Sequence, residues 1–429
     1  MNLSNTINSA QKTFLEWKKV PFTERQTLLL KLADVLEKDK EKFAKLITTE
    51  MHKPISQSIA EIEKSAGMIR YYAKAENVLK PEKIKTEFDV SEVHYDALGI
   101  ILGVMPWNFP FWQVLRFAVP AILAGNVVLL KHASICFESG DAVEKVFKDA
   151  GFPEYIFQNL RIGHEEIKEI LENPFVRGVS LTGSEKAGAN VAALAGKNIK
   201  KSVLELGGSD AYIVLDDADV EKAATEAPSG KLQNTGQVCN AAKRFIVHQK
   251  VEKDFVPKFI EEFNSYQPAD PFKMETKLSK MARPDLADEL ESQYKKALRN
   301  GAEVVLALER ISESEFRPGI ILVKECNPIL QEELFGPLAM LMVGKDDEEI
   351  LKLANDIPFG LGNSVWTKDK KRAQFFIENL ESGTVSINKS TSSDARLPFG
   401  GAKSSGYGVE LSLHAIKEFT QIKTVVGNI

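Results

Sequence analysis

The sequence predicts an α/β protein made of two parallel-sheet halves facing each other across a cleft, with a small strand-rich arm. Short apolar runs of strand length alternate with helical stretches from residue 99 to residue 205, and a second such series follows Cys239. Strands separated by helices read as a parallel sheet, because a parallel neighbour is reached only by a crossover. Two further segments, 83–95 and 421–426, alternate apolar with polar residues. With 429 residues, 44% hydrophobic and 27% charged, the chain is long enough for two or three domains.

In chain order, the first eighty residues place Phe14, Trp17, Leu28, Leu32, Val35, Leu36, Phe43 and Ile47 at spacings near three and four, which is a helical lead-in. Ile84, Thr86, Phe88, Val90, Glu92 and Val93 then alternate as in a half-exposed strand or hairpin. Buried-strand candidates follow at Gly99 to Met105, Val127 to Lys131, Phe157 to Ile162, Gly178 to Leu181 and Lys201 to Glu205. The second series is Arg244 to Val247, Val304 to Leu306, Gly319 to Val323, Leu338 to Val343, Gly362 to Trp366 and Gly383 to Ile387. The tail Gln421 to Val426 alternates again and is a possible sheet partner for the 83–95 arm. No internal repeat or low-complexity stretch interrupts the pattern.

A net charge of −5 and a pI near 5.9 argue against nucleic acid, which is met by an excess of Lys and Arg on one face. Cys136, Cys239 and Cys326 are scattered without zinc-like or disulfide-like spacing, so no metal is expected and a reducing, cytoplasmic home is. The N-terminus lacks a basic stretch followed by an apolar core, so secretion is not indicated. Ala97 to Lys131 is apolar enough to resemble a membrane span, but Pro106, Pro110 and Pro120 interrupt it. Asn108 and Arg116 would also be stranded in hydrocarbon.

Cys239 lies in Gln233-Asn234-Thr235-Gly236-Gln237-Val238-Cys239-Asn240-Ala241-Ala242-Lys243-Arg244, downstream of Leu204-Glu205-Leu206-Gly207-Gly208. A thiol with a distant carboxylate suggests acyl-thioester chemistry, since an ionised thiol is the best side-chain nucleophile. Small neighbours leave the sulfur approachable. An isolated cysteine is more often a buried small hydrophobe, but this one has company. Asn108, in Val104-Met105-Pro106-Trp107-Asn108-Phe109-Pro110, is an amide fixed between prolines and suited to donate to an oxyanion.

These segments, together with Lys131-His132-Ala133-Ser134, Thr182-Gly183-Ser184, Glu332-Glu333-Leu334-Phe335-Gly336-Pro337 and Pro398-Phe399-Gly400-Gly401, make the chain resemble the NAD(P)-dependent aldehyde dehydrogenase superfamily over nearly its whole length. The resemblance implies a Rossmann-like coenzyme domain (1–82 and 98–206), an α/β catalytic domain (207–405) and a small β oligomerisation arm with the C-terminal tail (83–97 and 406–429). A homodimer or homotetramer is expected. Many relatives carry an N-terminal hairpin before the first helix; here the helix begins almost at once, and the difference is expected to be peripheral.

The G-x-G-x-x-G fingerprint is absent, which taken alone argues against NAD. Val179 to Gly188 offers a strand, a glycine turn and an Ala-rich helix whose first amides can face phosphate, although a routine strand-to-helix turn capped by Ser184 reads the same way. The resemblance implies NAD or NADP, with Gly183 and Ser184 at the pyrophosphate and Lys131 at the adenosine ribose. Glu333 would meet the nicotinamide ribose with Phe335 beside the ring, and Trp107 and Leu206 complete the coenzyme side. Ser134 stands where NAD-preferring relatives often have Glu, and a serine does not repel a 2′-phosphate.

The chemistry implied is attack of Cys239 on an aldehyde, an oxyanion held by Asn108 and the Cys239 N–H, and thioester hydrolysis by a water that Glu205 deprotonates. Glu410 matches a second carboxylate able to pass protons outward, or is a surface acid beside a Gly-rich turn. Arg116 is a lone guanidinium on an apolar stretch. By resemblance to succinate-semialdehyde dehydrogenases it is expected to bind the carboxylate of a small-molecule aldehyde, with Ser393 as a second contact; a structural ion pair is the alternative. Gln233 replaces an arginine found in some semialdehyde enzymes, which leaves glutarate semialdehyde or simple aldehydes open as substrates. Among rivals, acyl-phosphate-reducing and CoA-acylating relatives need no base like Glu205. A cysteine hydrolase needs a positioned histidine, and a silent protein of this fold needs none of the three groups.

Overall fold

The computed structural model describes residues 2–428. Four helices lead in: α1 (Leu3–Trp17), α2 (Phe22–Lys38), α3 (Lys40–Met51) and α4 (Ile55–Tyr72). Their apolar faces, through residues such as Ile7, Trp17, Leu29, Leu36, Ile47 and Ile69, pack into one core with the first sheet. Strands β1 (Glu82–Lys83) and β2 (Val90–Ala97) then form the arm, in which β2 pairs antiparallel with Thr420–Gly427 from Val90↔Gly427 to Ala97↔Thr420. The partnership expected between the alternating segments is therefore present.

The first sheet contains β3 (Ile100–Met105), β4 (Val127–His132), β5 (Phe157–Asn159), β6 (Val176–Thr182) and β7 (Lys201–Glu205), all parallel. Gly406–Tyr407 adds an antiparallel edge beside β7. Helix α5 (Trp112–Leu123) joins β3 to β4, and every one of its residues is buried. Burying each large apolar side chain there contributes about 1.5–3 kcal/mol, so the Ala97 to Lys131 run is explained by a core helix between two central strands. No helix among the described residues is long and apolar enough to cross a membrane. Helices α6 (Phe137–Asp149), α7 (Glu166–Glu172) and α8 (Glu185–Lys197) complete the crossovers.

The chain lays β4 and β5 on one side of β3, then returns to lay β6 and β7 on the other. The order reverses between β3 and β6, and the crevice beyond the carboxyl ends of two such strands is the usual ligand site of an open α/β sheet. Met105 leads there into Pro106-Trp107-Asn108, and Thr182 leads into Gly183-Ser184. The second sheet runs Glu303–Leu306, Gly319–Leu322, Leu338–Gly344, β9 (Ala242–His248), β8 (Asp210–Val214), Gly362–Trp366 and Thr384–Ile387, parallel except for its first pair. Strand β8 was missed in the sequence. It is buried on both faces, so no alternation marks it, and only Leu206 to Ser209 separate it from β7. Helix α9 (Val220–Leu232) carries the chain from β8 towards Cys239.

Candidate active site

After α9 the backbone does something most residues avoid. Asn234 (φ 49°), Thr235 (φ 57°) and Gly236 (φ 78°) occupy the left-handed region in succession, and for a β-branched threonine this is a strained position. A Cβ on Gly236 would lie 2.2 Å from the Gly336 carbonyl oxygen, so only glycine fits. Surrounding contacts hold the strain. Gln57 Oε1 accepts from the Asn234 N–H at 2.8 Å, Thr235 Oγ1 donates to the Ser279 carbonyl at 3.0 Å, and Gln237 Oε1 accepts from the Ala282 N–H at 3.0 Å.

Asn108 and this loop are latched to each other. Asn108 Nδ2 donates to the Gln237 carbonyl at 2.9 Å, while its own carbonyl accepts from Asn234 Nδ2 at 2.9 Å. An amide nitrogen carries two protons, so one remains to serve a ligand. Glu61 on α4 fixes the loop from behind, accepting from the N–H groups of Phe111 and Trp112 at 2.9 and 3.0 Å. Lys53 in turn is paired with Glu61 at 2.5 Å, both side chains fully buried.

Cys239 is half-buried. Burial pushes its thiol up to about 11, countered by the charges of Arg116 and Lys243. Lys243, four residues beyond Cys239, is wholly buried. Its ammonium donates to the Val238 carbonyl at 2.6 Å and to the Cys239 carbonyl, and pairs with Glu333 at 3.0 Å. A lysine inside a strand otherwise buried end to end is the sequence signal that could have exposed it.

Glu205 ends β7 at 2% exposure with neither carboxylate oxygen hydrogen-bonded within the protein. Burial and the Glu410 charge hold its carboxyl well above the ordinary range, with Arg116 pulling the other way. Arg116 forms an ion pair with Glu410 through Nε, both side chains 3% exposed, while its Nη2 is buried without a hydrogen-bond partner among the described residues. Glu410 is accordingly a buried carboxylate and not a surface acid. Its other oxygen accepts from Ser180 Oγ at 3.2 Å, and its backbone bridges to Phe399 in the Pro398 block. A guanidinium sealed in an apolar helix required an anion, and the protein supplies it.

A cavity of 520 Å³ opens at the strand-order reversal, lined by Trp107, Asn108, Thr182, Gly183, Ser184, Leu206, Gly207, Cys239, Glu333 and Phe335 among others. Ser184 caps α8, accepting from the Ala187 N–H at 3.4 Å. Thr182 Oγ1 and Glu185 Oε1 are buried without partners. A Cβ on Gly207 would sit 2.4 Å from Glu185 and 2.6 Å from Glu333. Trp107 and Phe335 meet edge-on, ring centres 5.8 Å apart. Orphaned hydroxyl, capped helix start, glycine floor and aromatic walls fit a dinucleotide. Lys131 and Ser134 lie at the end of β4, the next strand out, and do not line this cavity.

A second cavity of 850 Å³ lies on the other side of the nucleophile loop, lined by Gln233, Val238, Asn240, Ala241, Gln57 and Lys389 to Ser392, among others. Gln233 thus belongs to this side. Ser393, next along the same loop, accepts from Lys64 Nζ at 2.7 Å; nothing in the sequence singled out Lys64. No histidine lines either cavity, so the pairing a cysteine hydrolase needs is not found among the described residues.

The aldehyde dehydrogenase family model matches residues 1–425. A probable succinate-semialdehyde dehydrogenase (NADP+) of Synechocystis sp. is 44% identical over 423 residues, covering 98% of this chain and 93% of the relative. A succinate semialdehyde dehydrogenase (NAD(P)+) of Escherichia coli is 41% identical over 428 residues, covering 99% and 93%. Among solved structures, the succinic semialdehyde dehydrogenase of Streptococcus pyogenes in complex with NADP+ superposes with a TM-score of 0.96 at 35% identity, covering 99% of this chain and 94% of that one.

Proposed function

The chain belongs to the aldehyde dehydrogenase family, and from that premise we propose that it oxidises succinate semialdehyde to succinate with NADP or NAD. The observation that carries this reading is the position of Cys239, on a loop with a cavity that fits a dinucleotide on one side and a second cavity on the other. The names of the relatives support the substrate. Ser134, exposed and without charge, supports tolerance of a 2′-phosphate.

In this reading Cys239 gives up its proton to solvent, the thiolate sulfur bonds to the aldehyde carbon as the carbonyl π bond breaks, and the oxyanion accepts from the spare Asn108 Nδ2 proton and the Cys239 N–H. Ser184 and the first amides of α8 would hold the pyrophosphate, Glu333 a ribose, and Phe335 and Trp107 the ring, with Leu206 beneath and Lys131 towards the adenosine. When bound, the nicotinamide supplies the acceptor for the hydride that leaves the thiohemiacetal carbon. Glu205, free of protein partners, takes a proton from water; the hydroxide attacks the thioester, the C–S bond breaks, and the thiolate returns. Arg116, paired with Glu410, tempers the negative charge around Glu205.

The proposal extends to assembly as a homodimer or homotetramer in the cytoplasm. The arm supports it, because Ile422 and Val426 are 62% and 57% exposed on its small sheet and Ile84 and Phe88, in the connection between β1 and β2, are 51% and 42% exposed, and such a surface favours a partner. Boundaries near 98, 206 and 405 follow the division between the sheets. The test is a panel of succinate semialdehyde, glutarate semialdehyde and butanal with each coenzyme, reading reduced coenzyme against acid formed. Equal amounts of the two, with succinate semialdehyde preferred, are expected; no coenzyme reduction with any aldehyde would overturn the reading.

A further inference from the structure

The Cys239 N–H donates to no group among the described residues, which leaves it for the oxyanion, and what aims it is the rest of its own peptide. In a trans peptide the carbonyl of the preceding residue and the N–H point in opposite directions across one rigid plane. Whatever holds the Val238 carbonyl therefore holds the Cys239 N–H. Two groups do so: the Ala241 N–H donates to that carbonyl at 3.2 Å, and Lys243 Nζ donates to it at 2.6 Å. The same ammonium donates to the Cys239 carbonyl, so the peptides before and after the sulfur-bearing residue are gripped from one point.

Lys243 is itself held in place. It stands near the start of β9, a strand buried end to end between β8 and Leu338–Gly344. An ammonium has three protons, and the third goes to Glu333 at 3.0 Å, which also accepts from the Gly208 N–H at 3.2 Å. Packing around the second carbonyl is close, since a Cβ on Gly208 would lie 2.9 Å from the Cys239 oxygen. Neighbouring buried cations are engaged elsewhere: Lys231 Nζ donates to the Leu334 carbonyl at 2.9 Å, and Arg244 to the carbonyls of Ser209, Leu353 and Ala354. Among the described residues, Lys243 alone brings a positive charge into hydrogen bonds with the backbone of the nucleophile.

We propose that Lys243 is a positioning residue for the oxyanion: by binding the Val238 carbonyl it aims the Cys239 N–H and strengthens it as a donor. The inference deepens the reading of Cys239 as the nucleophile, and rests on it. A positive charge at the carbonyl end of an amide draws electron density from the nitrogen, so the N–H becomes a better donor, and hydrogen bonds joined in a chain reinforce one another in this way. Here the chain runs from the Lys243 ammonium through the Val238 carbonyl and the Cys239 N–H to the oxyanion, in a buried setting where the polarisation is little screened. The same charge acts on the sulfur as well. Burial raises the thiol, and Arg116, then Lys243, oppose that rise, so a test has to separate the acidity of the thiol from the stabilisation of the oxyanion.

Two reagents applied without coenzyme make that separation. With p-nitrophenyl acetate the thiolate adds to the ester carbonyl, an oxyanion forms, and it collapses as p-nitrophenolate leaves; with iodoacetamide the thiolate displaces iodide from carbon and no oxyanion forms. Acylation is read as first-turnover release of p-nitrophenolate above that of Cys239→Ala, and alkylation on the peptide containing Cys239. Both reactions need the thiolate, so the ratio of their rates cancels any change in thiol acidity or in general access. In Lys243→Met the ratio should fall roughly tenfold or more, towards the about 10²–10³-fold that losing an oxyanion donor outright costs. Lys243→Met/Glu333→Gln removes both charges of the pair, leaves no acid uncompensated, and should show the same fall with thermal stability near the parent's. An unchanged ratio in either variant, or its recovery in the double variant, would overturn the proposal and make Lys243 a structural partner of Glu333, while the aldehyde reading would stand. A parent that releases no more p-nitrophenolate than Cys239→Ala would bring down the underlying reading of the nucleophile itself.

Discussion

Arg116 and Glu410 form an ion pair with each side chain only 3% exposed, and a second carboxylate, Glu205, lies close enough for its charge to act on Arg116. One positive charge is thus shared between two buried acids beneath the nucleophile. Removing it leaves both acids uncompensated. Burial alone already raises their affinity for protons, and without Arg116 that pressure is unopposed.

Arg116→Met should accordingly destabilise the protein by about 3–5 kcal/mol, the usual cost of breaking a buried pair from one side. It should depress kcat/KM for succinate semialdehyde and for butanal by similar factors, since the harm is to the base rather than to substrate recognition. Thermal unfolding and paired kinetics check this. Undiminished stability with a loss confined to the anionic substrate would return Arg116 to the role that the sequence suggested.

The thiol of Cys239, raised to about 11 chiefly by burial, should be sluggish in the free enzyme. Inactivation by iodoacetamide should keep accelerating as pH rises through 9 and 10 towards about 11, because only the thiolate reacts. A plateau near the ordinary thiol value of about 8.5 would show that the loop does not burden the sulfur in this way.

The alternation of strands with helices was legible because each crossover separates short apolar runs, and the arm because apolar and polar residues alternate along 83–95 and along the tail. The motifs around Cys239, Asn108 and Glu205 were legible as motifs. What escaped is relational. Nothing in the order of residues shows that Arg116 meets Glu410 across most of the chain, or that three α4 side chains spaced at helical intervals touch three different loops. Lys64 reads in sequence as one more polar residue on an amphipathic helix, and only folding brings it to Ser393 and Trp112. Likewise Asn234 and Thr235 give no sign that they sit in the left-handed region.

That strained turn gives a further expectation. Gly236→Ala must place a methyl group against the Gly336 carbonyl, 2.2 Å away, at a φ of 78°. The neighbour is backbone and cannot rotate aside. A loss of stability of about 1–3 kcal/mol from strain alone is expected, with turnover reduced further as Cys239 shifts relative to Asn108, while binding of coenzyme, measured by fluorescence titration, changes little. Parental stability and parental turnover together would mean that the loop is held less tightly than its contacts imply.

Glu205→Gln separates the two halves of the reaction. A glutamine reproduces the shape and neutrality of the protonated acid, and because burial and Glu410 already favour that state, the fold and the Arg116–Glu410 pair should survive. Attack by Cys239 does not require the carboxylate, so the first turnover should proceed and leave the acyl group on sulfur. Hydrolysis does require a base, and positioned general bases contribute about 10²–10⁴-fold. Rapid mixing with succinate semialdehyde and NADP should therefore show one equivalent of reduced coenzyme followed by a rate lower by about that factor. Intact-protein mass spectrometry should detect the succinyl adduct, and tryptic mapping should place it on the peptide containing Cys239. The parent should show the same adduct only fleetingly, and its deacylation should quicken as pH rises and Glu205 loses its proton. Parental steady-state turnover in Glu205→Gln, with no accumulated adduct, would exclude this carboxylate as the base and leave the attack on the thioester without a proton acceptor among the residues named.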